Sequence, residues 1–275
     1  MIISVASGKG GTGKTLISTS LALALGSNVQ FLDCDVEEPN AHIFLKPQIE
    51  KREKVSVLVP MVDEKKCDYC GKCAEVCEYN AIVVAKNKVL IFPELCHSCG
   101  GCVLLCPQKA FMEKEREVGG IDLGKANGID FVSGVLNVGE AMPVPMVREV
   151  KKRIDPSKTV IIDASPGTSC PVVEAVKGSD FCVLVTESTP FGLADLELAV
   201  EVLRKMAIPC GVVINKYDET YPKVEKFCAS EKIAVLLKIP EDRRIAEAYS
   251  RGEPLVKALP AYKDKFLKLF EGINQ

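Results

Sequence analysis

The fold of this chain is decided by the stretch Ser7-Gly8-Lys9-Gly10-Gly11-Thr12-Gly13-Lys14-Thr15, near its N-terminus. Residues 8–15 match the pattern G-x-x-x-x-G-K-[ST], in which glycines let backbone N–H groups turn towards phosphate oxygens. The apolar residues 2–6 predict a buried strand before the loop, and residues 16–25 predict a buried helix after it. A strand, a glycine-rich loop and a helix in this order indicate a phosphate-binding loop rather than an ordinary glycine turn.

In such a loop the side chains have separate tasks. Lys14 is expected to reach the β- and γ-phosphates of a nucleotide, and the Thr15 hydroxyl is expected to hold Mg²⁺. The backbone that would cradle the phosphates belongs to Gly8, Lys9, Gly10, Gly11, Thr12 and Gly13.

A second lysine, Lys9, is not required by an ordinary phosphate-binding loop. With it the stretch resembles the deviant Walker A sequence K-G-G-x-G-K-[ST] of the MinD/ParA/Mrp/nitrogenase-iron-protein class of P-loop ATPases. The resemblance implies an α/β fold with a mostly parallel sheet, helices on both faces, and ATP as the nucleotide. It also implies that Lys9 crosses a dimer interface to the partner's nucleotide, which predicts an ATP-dependent homodimer. A solvated lysine is the alternative.

Aspartates end two of the predicted strands. Residues 28–35 read as a buried strand ending in Asp33 and Asp35, and residues 160–162 lead to Asp163. A strand–helix–strand unit favours a parallel sheet, where ligands bind beyond the carboxyl ends of the strands. The resemblance implies that Asp35 orients the attacking water and that Asp33 and Asp163 support Mg²⁺. Lys9, Lys14 and Asp35 are thus the predicted catalytic residues; a capping role is the alternative for Asp35 and Asp163.

Two positions near the C-terminus are assigned to the base of the nucleotide. Asn215 ends a predicted strand, and the resemblance implies that it reads the adenine edge. Pro240 begins a loop that would border the base.

Eight cysteines form two nearly identical runs with the spacing C-x2-C-x2-C-x3-C. This spacing is typical of bacterial ferredoxins with two [4Fe–4S] clusters, where the fourth cysteine of each run ligates the other cluster. The predicted ligand sets are Cys67, Cys70, Cys73 and Cys106 for one cluster, and Cys96, Cys99, Cys102 and Cys77 for the other. Four-cysteine zinc sites are the alternative. Glu78 replaces the proline that usually follows the fourth cysteine.

The change in composition around these cysteines predicts three segments. Residues 1–60 and 118–275 would form one ATPase domain, interrupted by a small α+β ferredoxin domain at 61–117. Within the insert, residues 81–84 and 88–91 predict a hairpin. The charged run 113–117 reads as a solvated linker or an edge hairpin.

Composition excludes several classes of partner and location. The 275 residues carry a net charge of −2 and no tryptophan, so we expect no nucleic-acid binding. No apolar run predicts a membrane span or an export signal, and 13 cysteines without such a signal favour the cytoplasm. The amphipathic C-terminal stretch 261–272 is expected to dock on the fold rather than on a membrane.

The two modules together suggest ATP-gated electron transfer to an unidentified redox protein or metalloprotein. The rival hypothesis is an ATPase carrier or maturation factor for iron–sulfur clusters or another metal centre. The absence of a further C-x-x-C pair weighs against it. Cys170 is spaced like one ligand of the nitrogenase iron protein, but its companion is missing, so a cluster that bridges the dimer is not favoured. A positioning ATPase like MinD or ParA is the third hypothesis, and it leaves the cysteine insert unexplained.

Overall fold

The computed structural model describes residues 1–274. The strands are β1 Ile2–Ala6, β2 Val29–Cys34, β3 Gln48–Val62, β4 Ile82–Ala85, β5 Lys88–Ile91, β6 Phe111–Ala126, β7 Ile129–Leu136, β8 Thr159–Ala164, β9 Phe181–Glu187, β10 Cys210–Tyr217 and β11 Ala234–Pro240. The helices are α1 Lys14–Leu25, α2 Ala41–Leu45, α3 Lys72–Glu75, α4 Gly101–Leu104, α5 Pro143–Lys151, α6 Cys170–Val176, α7 Pro190–Lys205, α8 Lys223–Ser230, α9 Arg243–Ser250, α10 Leu255–Ala258 and α11 Ala261–Ile273. A short 3₁₀ turn spans Pro93–Leu95.

The main sheet has nine strands in the order β11-β10-β9-β1-β8-β2-β7-β6-β3. From β11 to β7 every neighbouring pair is parallel, which confirms the predicted α/β class with a mostly parallel sheet. The register places Asp33 on β2 opposite Asp163 on β8. Because parallel strands end at the same edge, the loop after β1 and both aspartates meet there.

The chain divides into two compact units. Unit 1 comprises residues 1–53, 121–135 and 147–275, and unit 2 comprises residues 54–120 and 136–146. The long strands β3 and β6 each begin in one unit and end in the other. The predicted domain limits at residues 60 and 117 remain a prediction.

Unit 1 has a continuous apolar core to which the C-terminal helix contributes. Tyr262, Phe266 and Leu269 of α11 are buried in the cluster that also holds Ile17 and Leu21 of α1. The predicted docking of the amphipathic stretch is therefore confirmed. Within residues 1–274, no helix combines the length and hydropathy needed to cross a bilayer.

Unit 2 contains an apolar cluster of its own, in which Cys73, Ile82, Val89 and Phe111 are buried. The predicted hairpin is present, since β4 and β5 pair antiparallel with Ile82 opposite Ile91.

The charged run 113–117 is not a linker. It lies inside β6, the second strand from the sheet edge, where Lys54 pairs with Glu117 at 2.8 Å and Arg116 pairs with Glu140. Strand pairing and these ion pairs hold residues 113–117 in the sheet, although their charged side chains are typical of a solvated linker. Asn127 and Gly128 then join β6 to β7 with φ of 52° and 83°, the backbone of a tight hairpin turn. This Asn-Gly signal went unused in the sequence analysis.

We expect Phe266→Ala to lower the free energy of unfolding by about 3–5 kcal/mol, because it opens a cavity at a fully buried position. Urea denaturation followed by circular dichroism measures this loss. The control Lys263→Ala changes an exposed residue of the same helix and should leave stability within about 0.5 kcal/mol. A loss below about 1 kcal/mol for Phe266→Ala would contradict the docking of α11.

Candidate functional site

A cavity of about 380 Å³ opens at the carboxyl edge of the parallel strands in unit 1. This is within the usual range for small-molecule sites. The predicted residues that line it are Lys9, Gly10, Gly11, Thr12, Gly13, Lys14, Thr15, Asp35, Asn215 and Pro240. Glu38, Lys216 and Tyr249 also line it and had no role assigned from the sequence, whereas Glu241 and Asp242 belong to the predicted loop that begins at Pro240.

The loop after β1 needs its glycines for steric reasons. A Cβ on Gly13 would lie 2.4 Å from Nδ2 of Asn215, and Gly13 has a left-handed φ of 87°. A Cβ on Gly8 would lie 2.3 Å from the backbone oxygen of Asp195. The amide of Asn215 donates to the Thr12 carbonyl at 2.8 Å, so this residue braces the loop. Its proposed contact with adenine remains a prediction.

Lys14 is surrounded by carboxylates. Its Nζ lies 2.7 Å from Oδ1 of Asp163 and 3.7 Å from Oδ2 of Asp35. Asp33 accepts the backbone N–H groups of Asp35 at 3.2 Å and Ala41 at 3.1 Å, which orders the segment after β2. The structure therefore brings together four of the residues assigned to phosphate, magnesium and water.

These groups shift one another's protonation. Burial raises the pKa of Asp35 to about 6, with the charge of Asp163 adding to the rise and that of Lys14 opposing it. The pKa of Asp33 is raised well above its usual range by burial and by Asp163. Burial works to lower the pKa of Lys14, but Asp163, Asp35 and Asp33 outweigh it and raise the pKa overall. One lysine thus faces more negative charge than it can neutralise.

The same residues suit a magnesium ion. Oδ2 of Asp163 is buried and has no hydrogen-bond partner among residues 1–274. Such an oxygen is costly to bury unless it meets a cation or its water shell. Thr15, also buried, lines the same cavity.

Lys9 is held inside its own chain by a residue that the sequence analysis missed. Its Nζ lies 3.3 Å from Oε2 of Glu187, which also binds Lys216. Glu187 ends β9 and is only 8% exposed. The feature that could have identified Glu187 is that its carboxylate ends a strand, β9, which pairs with β1.

The cysteines of unit 2 line two separate cavities. Site 1 is the cavity lined by Cys67, Cys70, Cys73 and Cys106. Site 2 is the cavity lined by Cys77, Cys96, Cys99 and Cys102. The structure thus brings the fourth cysteine of each run to the first three of the other, which is the predicted pairing.

Backbone N–H groups point at the cysteine sulfurs of these sites. Ala81 donates to Sγ of Cys77 at 3.3 Å, Ala110 to Sγ of Cys106 at 3.4 Å, and Tyr69 to Sγ of Cys67 at 3.4 Å. Four sulfur donors supported by such bonds suit an iron–sulfur cluster. Among residues 1–274, however, no three His, Cys, Asp or Glu residues are placed to hold a single metal ion. The ligand role of the cysteines therefore remains a prediction.

Burial affects the free thiols of both sites. It raises the pKa of Cys102 to about 11 and also raises that of Cys73. At neutral pH these thiols keep their protons, so binding a cluster would have to displace them. Outside unit 2, Cys34, Cys182 and Cys228 are buried, while Cys170 is exposed.

Comparison with known sequences identifies similarity along nearly the whole chain. The sequence profile of the family described as CobQ/CobB/MinD/ParA nucleotide binding domain matches residues 3–255. An uncharacterized protein of Methanocaldococcus jannaschii is 32% identical over 263 residues, covering 94% of this chain and 92% of that protein. An iron-sulfur cluster carrier protein of Pyrococcus horikoshii is 27% identical, covering 98% and 84%.

A shorter match and a solved structure complete the comparison. One component of an ion-translocating oxidoreductase complex from Methanosarcina acetivorans is 42% identical over 67 residues, covering 21% of this chain and 25% of that protein. The septum site-determining protein MinD of P. horikoshii, solved with Mg-ADP, superposes with a TM-score of 0.62 at 22% identity. The superposition covers 100% of this chain and 96% of MinD, and it shows a common fold.

We expect Asp35→Asn to stabilise the nucleotide-free protein above pH 6. The pKa of Asp35 is higher in the folded than in the unfolded chain, so the folded protein binds more protons between about pH 4 and pH 6. As the pH rises from about 4 to about 6, the free energy of unfolding of the wild type should therefore fall relative to that of the variant. Above about pH 6 the difference between the two should stay constant. After allowance for solvent screening, the final difference should be about 1–2 kcal/mol.

Urea denaturation in EDTA at several pH values measures this difference. The control Asp218→Asn changes an exposed aspartate and should show no gain above pH 6. A difference between Asp35→Asn and wild type that stays constant from pH 4 to pH 7 would contradict the crowding of charge around Lys14.

Proposed function

The chain belongs to the CobQ/CobB/MinD/ParA family of nucleotide-binding proteins and is an ATPase, and we propose that it uses ATP-dependent pairing of two copies to control electron transfer through two [4Fe–4S] clusters. The observation that carries this proposal is the crossed grouping of eight cysteines around two cavities, in the same chain as the nucleotide cavity.

The nucleotide cavity would bind ATP through its loop and its lysine. Lys14 would exchange part of its contact with Asp163 for the β- and γ-phosphates, which leaves Asp163 to support Mg²⁺ together with Thr15 and Asp33. The ion supplies charge neutralisation at the phosphates when it is bound. Asp35, which lines the same cavity, would then orient the attacking water.

Lys9 would link hydrolysis to dimer formation. It lines the nucleotide cavity, and its side chain is 30% exposed, so it can turn from Glu187 towards another molecule. A triphosphate on a second copy offers more negative charge than one carboxylate. Pairing of two copies would therefore depend on the γ-phosphate.

The cysteine sites would supply the electron carriers. A [4Fe–4S] cluster exchanges single electrons while its cysteine ligands hold it in place. The name of the oxidoreductase complex from M. acetivorans agrees with a redox role, since one of its components is 42% identical to part of this chain. An unidentified redox protein or metalloprotein would exchange electrons with the clusters.

The position of the cysteines in the chain suggests how the two activities are coupled. Residues 67–106 lie between segments 33–40 and 163–167, which carry the carboxylates assigned to Mg²⁺ and water. In nucleotide switches such segments rearrange when the γ-phosphate is lost. Strands β3 and β6, which lead into and out of unit 2, provide the covalent connection.

We expect ATP to promote both dimer formation and electron transfer, and ADP to promote neither. Sedimentation velocity measures the dimer, and reduction of cytochrome c by the dithionite-reduced protein measures electron transfer. Lys9→Ala should lose both effects of ATP. The control Lys263→Ala removes an exposed lysine of α11 and should behave as wild type. Equal rates of cytochrome c reduction with ATP, with ADP and in Lys9→Ala would contradict gating.

A second candidate function is delivery of clusters to other proteins. It is favoured by the 27% identity to the P. horikoshii protein named as an iron-sulfur cluster carrier. An electron carrier keeps its clusters, whereas a cluster carrier gives them up.

We expect the clusters to stay on the chain during ATP turnover. Protein labelled with ⁵⁷Fe is incubated with ATP and an apo-ferredoxin, the two are separated, and the iron of each is counted. Retention of the label supports electron transfer, while ATP-dependent transfer of most of the label would replace it with the carrier function. A sample with ADP is the control for passive loss of iron.

A further inference from the structure

Glu187 is shared by two lysines that come from different parts of the nucleotide site. Its Oε2 lies 3.3 Å from Nζ of Lys9, in the loop after β1, and its Oε1 binds Nζ of Lys216, near the end of β10. Both lysines line the nucleotide cavity, and Glu187 is not one of the described residues that do. One carboxylate therefore holds two cations of the site from outside the cavity.

The backbone around Glu187 is fixed, so its carboxylate has a defined place. Glu187 ends β9 opposite Asn215 of β10. Its carbonyl accepts the N–H of Thr189 at 2.8 Å, and the hydroxyl of Thr189 caps α7 by accepting the N–H of Gly192. The side chain thus projects from a rigid junction between a strand and a helix.

The backbone of Lys9 is fixed as well. The hydroxyl of Ser7 donates to the carbonyl of Lys9 at 2.8 Å, and Nζ of Lys216 lies 3.5 Å from the carbonyl oxygen of Gly11 in the same loop. The side chain of Lys9 is 30% exposed. It can therefore change its partner by rotation, without a change in the loop.

Lys216 makes the release of Lys9 possible. A carboxylate that is only 8% exposed, as Glu187 is, would be costly to leave without a cation. When Lys9 turns away, Lys216 still binds Glu187, so the carboxylate stays paired. The two lysines thus have opposite effects on the position of Lys9, since Lys216 weakens the need of Glu187 for it.

We propose that Glu187 is a positioning residue that keeps Lys9 on its own chain and opposes the pairing of two copies until a triphosphate competes for the lysine. This rests on the proposed function, because it assumes that Lys9 binds the nucleotide of a second copy. In the pair, Lys9 exchanges one carboxylate for phosphate oxygens that carry more negative charge. A symmetric dimer uses two Lys9 side chains, so two contacts with Glu187 are given up for each dimer formed.

Sedimentation velocity of the full chain over a range of protein concentrations, with saturating Mg-AMPPNP, tests the proposal. This non-hydrolysable analogue of ATP fills every site, so the dissociation constant of the dimer reports the pairing step alone. Glu187→Gln keeps the size of the side chain but removes its charge, and it should lower this constant roughly 5- to 20-fold. Because the expected change is a gain of affinity, partial unfolding cannot imitate it. An unchanged or weaker dimer in Glu187→Gln would overturn the proposal.

Lys216→Met provides a second variant with an effect of the opposite sign. It leaves Lys9 as the partner on which Glu187 depends, so the dissociation constant of the dimer should rise about threefold or more. Since Lys216 lines the nucleotide cavity, circular dichroism and calorimetry first establish that this variant is folded and saturated with the analogue. An unchanged or tighter dimer in Lys216→Met would also overturn the proposal.

The double variant Lys9→Ala/Glu187→Gln should lose the dimer as fully as Lys9→Ala, because Glu187 acts through Lys9. A dimer restored in the double variant would count against that role. The control Glu231→Gln removes a carboxylate that binds Arg204 and lines no part of the described cavity, so it should leave the dissociation constant unchanged. If the wild type and every variant stay monomeric with the analogue, the proposed function itself is overturned, which separates the two failures.

Discussion

The ion pair between Lys14 and Asp163 is the interaction on which the nucleotide site depends. It joins the first helix to a central strand at 2.7 Å, inside a region that water barely reaches. It exists because β1 and β2 both pair with β8, which places Asp33 opposite Asp163 at the edge where the glycine loop ends. A lysine shared by three carboxylates can bind phosphate only if a cation takes over part of the negative charge, so the site favours nucleotide together with Mg²⁺.

Unit 2 combines an apolar cluster with the cysteine sites. Cys73, Ile82, Val89 and Phe111 are buried in this cluster, and four of the half-buried residues packed against it are cysteines. With clusters bound as proposed, the metal would add to the stability of this region. The crossed grouping of the cysteines also ties the two halves of the repeat together, because neither half can complete a site alone.

Much of this arrangement could be predicted from local patterns. The glycine loop and the hairpin of β4 and β5 follow from spacing, because each depends on backbone geometry over a short stretch. The grouping of Cys106 with site 1 joins the two halves of the repeat, and it was predicted from the spacing shared by both cysteine runs. For residues 113–117 the charges left a solvated linker and an edge hairpin open, and strand pairing and ion pairs near the sheet edge decided against the linker. Glu187 ends a strand, but its ion pair with Lys9 depends on the pairing of β9 with β1, which its local sequence does not indicate.

The sequence by itself determined the family, the phosphate-binding loop and the two cysteine runs, because glycine conformation and ligand spacing act between near neighbours in the chain. Only the tertiary structure decided which carboxylates surround Lys14 and that Glu187 restrains Lys9, because these contacts depend on strand order. It also decided that Asp68 meets Gln108 while His97 meets Tyr79, which makes two sites of the same spacing chemically different.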